Sequence, residues 1–243
     1  MEIHTHLYES DQLVAEAFAA WLADWIDGQE AERPLHLALS GGSTPKILFE
    51  HLATHYATAL PWSRLHLWWG DERCVPPDSP ESNYHMTQQY LISQVELLEE
   101  NIHRIKGEEI PIDEAKRYAQ EMVDTLPQVA DIPQFDLIML GMGDDGHTAS
   151  IFPDQMALLE SEALTAVATH PSSHQQRVTF TGKLLNQAAN VAFLVTGTKK
   201  SGRIAQILGG RPGARHLPAY HIKPTEGVLH WFLDRAAASD IRG

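Results

Sequence analysis

His147 is the side chain in this sequence best placed to move a proton. It stands in FDLIMLGMGDDGHTASIFP, Phe135 to Pro153. The apolar run Leu137 to Leu140 reads as a buried strand, and Gly141 and Gly143 break it into a loop. Asp144 and Asp145 follow, then Gly146, then His147 beside Thr148 and Ser150. An imidazole titrates near neutral pH, so it needs little tuning to act as a base. Asp145, two residues earlier, can orient the ring and stabilise its protonated form. The plainer alternative is a loop histidine satisfied by backbone hydrogen bonds. Ser150 offers a nucleophile, but no G-x-S-x-G elbow surrounds it, so water is preferred. Gly141 to Gly146 also matches the dinucleotide pattern G-x-G-x-x-G, with Glu160 or Glu162 at ribose distance. Two carboxylates would then meet the pyrophosphate, and Pro153 comes too soon for a long helix, so this reading is rejected.

Three other stretches could hold an anion for that base. In SGGSTP, Ser40 to Pro45, two glycines and hydroxyl residues join the strand Leu35–Leu39 to a helix. Thr44 is expected as its cap and Pro45 as its first residue. Free N–H groups and the helix dipole make such a loop a phosphate cradle, although an ordinary strand-to-helix turn has the same look. It is no nucleotide P-loop, because the Gly-Lys-Ser/Thr ending is missing. The strand Leu65–Trp69 runs into GDERCVPPDSPESNYHM, read as a rigid loop. Its Arg73 can meet phosphate or pair with Asp71 or Glu72. Beyond the strand Val191–Val195, Gly197 and the pair Lys199-Lys200 open another helix, with lysines that are either solvated or functional.

The positioning elements alternate. A helix from Ser10 or Asp11 to Gly28 carries Val14, Phe18, Trp21, Leu22 and Trp25 at helical spacing. Further helices are expected after Ser82 or Asn83 and over Pro111 to Leu126. Further strands are expected at Ile102 to Ile105, Leu164 to Thr169 and Val228 to Leu233. Strands alternating with helices predict an α/β fold, a mostly parallel sheet with helices on both faces. No repeat or linker appears, so residues 1–243 are expected to form a single domain.

Composition narrows the partners. The net charge is −14 over 243 residues, which argues against a nucleic-acid surface but not against a small anionic ligand in a local cationic pocket. The single cysteine, Cys74, allows no disulfide within the chain. The first residues lack a signal-peptide pattern, and no run of about 18 apolar residues could span a membrane. A cytoplasmic enzyme is therefore expected, monomeric or weakly self-associating. The 14 histidines form no metal-binding spacing, so neither metal nor cofactor is expected.

The segments LALSGGSTP, WWGDERCVPPDSPESNYHM, FDLIMLGMGDDGHTASIFP and RVTFT…FLVTGTKK resemble, in order, the signature stretches of the 6-phosphogluconolactonases. The resemblance implies a modified Rossmann-like domain, shared with glucosamine-6-phosphate deaminases. It implies a carboxylic ester hydrolase that opens 6-phosphogluconolactone to 6-phosphogluconate in the oxidative pentose phosphate pathway, without metal or cofactor. It places the catalytic histidine on His147 and its acidic companion on Asp145. It places the phosphate loop on Ser40, Gly41, Gly42, Ser43 and Thr44, the arginine of Asp-Glu-Arg on Arg73, and the lysine on Lys200 rather than Lys199. Arg177 would stand at the rim. The family often has proline where this chain has Asp144, and His221 has no assigned role. The other readings are an amino-sugar phosphate isomerase–deaminase using Asp71 or Glu72 as base, and a non-catalytic sugar-phosphate sensor.

Overall fold

The computed structural model describes residues 2–241. In chain order its strands are β1 (Glu2–Tyr8), β2 (Leu35–Leu39), β3 (Leu65–Trp69), β4 (Asp71–Arg73), β5 (Ile102–His103), β6 (Gln128–Val129), β7 (Ile132–Pro133), β8 (Leu137–Leu140), β9 (Thr165–Thr169), β10 (Gln176–Phe180), β11 (Asn190–Val195) and β12 (Val228–Asp234). The α-helices are α1 (Asp11–Asp27), α2 (Ser43–His55), α3 (Asn83–Tyr90), α4 (Pro111–Thr125), α5 (Gly182–Leu185) and α6 (Ser201–Leu208).

Seven strands make one sheet in the order β1-β12-β11-β8-β2-β3-β5, and every pairing in it is parallel. All residues of β2 and β8 are buried, as strands covered on both faces require. Register shows what covers each face. Trp68, Ala38, Ile138, Val191 and Leu229 lie opposite one another across the sheet and so share a face. Phe232 is one residue out of step with Leu229 and Trp231, so it points to the other face. Tyr118 of α4 lies beside Trp68, and Phe18 of α1 meets Phe232 edge-on at 5.0 Å. Helices α4 and α1 therefore cover opposite faces.

The chain moves outward from β2 to β3 and β5, then returns to the other side of β2 with β8 before moving outward through β11 and β12. The order reverses between β2 and β8. At such a point the loops beyond the two strands leave in opposite directions and open a crevice at their carboxyl ends.

Several strands differ from expectation: the hairpin β6–β7 stands where a loop was expected between Pro127 and Pro133, and β1 and β4 differ too. β1 was not foreseen, because Glu2, His4 and His6 break any apolar run. It forms by pairing with β12 from the far end of the chain, Glu2 opposite Val228 through Tyr8 opposite Asp234. Asp71 to Arg73, expected as loop, is β4, an edge of the second sheet β4-β10-β9. The expected caps at Ser10 and Ser82 are present, each hydroxyl accepting a main-chain N–H of the first turn.

Tyr118 ties α4 to the sheet. Its fully buried hydroxyl accepts the Trp69 N–H at 2.9 Å and donates to the His103 carbonyl at 3.0 Å. Tyr118→Phe strands both groups without water to replace the hydroxyl. It should lower stability by about 1–3 kcal/mol in chemical denaturation, with an unchanged denaturant slope.

Candidate active site

The crevice at the strand reversal holds a cavity of about 280 Å³. The loops after β2, β3, β8 and β11 line it, each carrying one of the stretches singled out in the sequence. Ser40 to Thr44, Arg73, His147, Arg177 and Lys200 all reach it. Asp145 does not line the cavity but stands behind His147.

The His147–Asp145 pair is assembled by tight local geometry. His147 Nδ1 lies 2.6 Å from Asp145 Oδ1, and the His147 main-chain N–H donates to the same oxygen at 3.1 Å. Gly143 passes so close that an added Cβ would sit 2.1 Å from Nδ1 and would have to push the ring off Asp145. Gly146 turns the chain with φ of +85°, a conformation that disfavours side chains. Burial by itself would raise the Asp145 carboxyl. The two His147 N–H groups and the charge of the ring outweigh it and hold the carboxyl down at about 2. Asp145 is thus an ionised acceptor at neutral pH. An ionised acceptor at Nδ1 favours the tautomer that carries its proton there, with Nε2 as the acceptor facing the cavity.

The loop after β2 has the form of an anion cradle. Helix α2 begins at Ser43, with Gly42 at the cap position and φ of +113°. Thr44 is not the cap, and Pro45 is the third helical residue. The Thr44 hydroxyl instead meets the Thr196 hydroxyl at 2.8 Å, tying this loop to the end of β11. Among the described residues the N–H groups of Gly42, Ser43 and Thr44 have no protein acceptor. A Cβ at Gly41 would come within 1.9 Å of Asn83 Oδ1 and push that side chain away from the cavity wall.

Arg73 and Arg177 face each other across the β4–β10 pairing. Arg73 makes no ion pair with Asp71 or Glu72. It donates instead to the Glu81 carbonyl. Arg177 approaches Asp71 at 3.9 Å. The Nε of each guanidinium is buried and unpaired. Glu72 does other work: its carboxylate accepts the N–H groups of Arg73, Asn83 and Tyr84 and the Ser82 hydroxyl, fastening the start of α3 to β4. Ser150 is fully buried and donates to Asp71 at 2.6 Å, which removes it as a nucleophile.

Lys200 reaches the cavity wall but is paired with Asp144 at 2.5 Å. Its loop is set by Asp234, whose carboxylate accepts the Gly197 N–H at 3.0 Å and also caps the final turn through Ala237. Lys199 is exposed and lines a separate cavity. His221 bonds the Arg215 carbonyl through Nε2, so it is spent on the local chain. The sequence reading missed Asn83 and Thr196 as cavity walls. Asn83 lay inside a quoted motif, where it was read only as a cap. Among the described residues no cluster of three or more His, Cys, Asp or Glu side chains is placed to hold a metal ion, and no helix is long and apolar enough to cross a membrane.

Residues 9–231 match the family model of glucosamine-6-phosphate isomerases/6-phosphogluconolactonase. The chain belongs to this family. It is 45% identical to a 6-phosphogluconolactonase of Haemophilus influenzae over 88% of this chain and 90% of that protein. It is 39% identical to the 6-phosphogluconolactonase of Treponema pallidum over 91% of each. Its fold superposes on the 6-phosphogluconolactonase of Trypanosoma brucei with a TM-score of 0.85 at 28% identity, covering 99% of both chains. A monomeric glucosamine-6-phosphate deaminase shares the fold at a TM-score of 0.80 and 20% identity. The fold is therefore common to both halves of the family, and the site has to discriminate between them.

The coupling of Asp145 to His147 has its own test. In His147→Ala the ring donor and its charge are gone while burial remains, so the Asp145 carboxyl should titrate above its parent value. Carbon-detected NMR of the side-chain carboxyl checks this, and an unmoved titration would mean that the pair is not coupled.

Proposed function

We propose that this protein hydrolyses 6-phospho-D-glucono-1,5-lactone to 6-phospho-D-gluconate. One observation carries the reading. The His147–Asp145 pair faces the same cavity as the α2 N-terminus, Arg73, Arg177 and Lys200, so a proton acceptor and an anion anchor share one small space. The names of the 39–45% identical relatives point the same way.

The phosphate is held by the free N–H groups of Gly42 to Thr44, by Arg73 and by Lys200, with Ser40 and Gly41 shaping the loop and Arg177 at the rim. The two guanidinium Nε groups gain an acceptor on binding; a buried donor left unpaired costs about 1–3 kcal/mol. Anchoring the phosphate sets the lactone carbonyl near His147. Nε2 takes a proton from water as the water oxygen attacks the carbonyl carbon. Asp145 steadies the imidazolium. The bond from that carbon to the ring oxygen then breaks, and the imidazolium returns its proton to the leaving oxygen. Of the two glycines considered for the oxyanion, Gly143 already donates its N–H to the His147 carbonyl at 2.9 Å and Gly42 belongs to the phosphate cradle, so no oxyanion donor is assigned.

The deaminase reading needs a free carboxylate to abstract a carbon-bound proton. Asp71 is engaged by Ser150 and Arg177, and Glu72 by four donors. A coupled dehydrogenase assay on freshly generated lactone, corrected for spontaneous opening, tests the proposal. Ammonia release from an amino-sugar phosphate would favour the deaminase, and binding without turnover would favour a sensor.

His147→Ala should lower kcat/KM by about 10²–10⁴ while the fold persists. Full turnover in a folded variant would remove His147 from the mechanism. Arg73→Ala should weaken binding of 6-phosphogluconate and leave hydrolysis of an unphosphorylated lactone nearly unchanged. Equal losses on both would make Arg73 structural.

A further inference from the structure

Asp144 stands between two cavities. Its carboxylate pairs with Lys200, which lines the catalytic cavity, yet Asp144 itself lines a second cavity of about 560 Å³ together with Lys199, Arg203 and Arg211. The Lys200 side chain is mostly covered at 21% exposure, whereas that of Asp144 is 57% exposed. Among the described residues the Asp144 carboxylate has no other partner. Asp145 next to it is fixed by two N–H groups of His147. The adjacent acids are therefore built differently, one clamped and one held only by a lysine.

From this we infer that Asp144 is an exchangeable counter-ion for Lys200, a specificity-determining residue that competes with the anionic group of the ligand. The inference rests on the reading of Lys200 as part of the phosphate anchor. The carboxylate end of the pair is more than half exposed and has this one partner, so a phosphate dianion bringing two charges and several other donors displaces it. The displaced carboxylate has a place to go, because Arg203 already donates from Nε to the Asp144 carbonyl at 3.4 Å and lines the second cavity beside Lys199. The competition also acts on the product. Asp144 thus weakens ground-state binding and speeds release.

Calorimetric titration of inorganic phosphate and of 6-phosphogluconate at low ionic strength tests this in the parent, Asp144→Asn, Lys200→Met and the double variant. Asp144→Asn should bind both ligands about 3- to 10-fold more tightly, and rising salt should erase the difference. In the Lys200→Met background, Asp144→Asn should change nothing. Unchanged or weaker binding in Asp144→Asn would overturn the inference, the weaker case making Asp144 a support that positions Lys200. Asp144→Ser gives the same contrast if the Asn variant folds poorly. If Lys200→Met binds both ligands as the parent does, the phosphate anchor itself is wrong. Lactonase turnover by the parent would still stand in that case, which separates the two failures.

Discussion

The site depends on one pairing, that of β2 with β8, Leu37 opposite Leu137 and Ala38 opposite Ile138. These strands are far apart in sequence and parallel, so their carboxyl ends emerge side by side. One ends in a glycine and hydroxyl loop leading into a helix N-terminus. The other ends in the turn that carries Asp145 and His147. Because the sheet order reverses at this pair, the two loops separate, and the space between them becomes the cavity. β3 and β11 flank the pair and deliver Arg73 and Lys200 from either side.

Electrostatics then suits the cavity to an anion. The chain as a whole is strongly acidic, yet the cations at this one place are brought close enough to cost energy. Arg73 and Arg177 are opposed in register, and burial pulls the still charged Arg177 guanidinium below its usual pKa range, Asp71 pulling the other way and Arg73 adding to the effect. Such an arrangement is stabilised by an anion. Asp71, Asp144 and Asp145 each answer a particular cation or imidazole rather than forming a common acidic patch, which keeps the negative charge local.

Much of this was legible in the sequence, because the glycines that break each strand also mark where chemistry is possible. The helices, the main parallel strands and the residues Ser40 to Thr44, Arg73, His147 and the Lys199-Lys200 pair were read from local pattern, whereas Arg177 and the choice of Lys200 over Lys199 came only from the family resemblance. What escaped reading depends on partners distant in the chain. β1 exists only because β12 lies beside it. β4 is strand only because β10 pairs with it. Thr44 looked like a cap until Thr196 provided another use for its hydroxyl. Ser150 looked available until burial against Asp71 removed it. Asp144 looked like an extra charge beside His147, and its pairing with Lys200 could not be seen from spacing along the chain.

Asp145 is held ionised down to about pH 2, so any loss of activity through the weakly acidic range belongs to another group. The pH dependence of kcat/KM for freshly generated 6-phosphogluconolactone, measured in the parent and in His147→Asn after subtraction of spontaneous opening, isolates that group. The parent should show an acid limb on which activity falls as a single proton is taken up. The residual activity of His147→Asn should lack that limb. The same limb in both proteins would contradict His147 as the base.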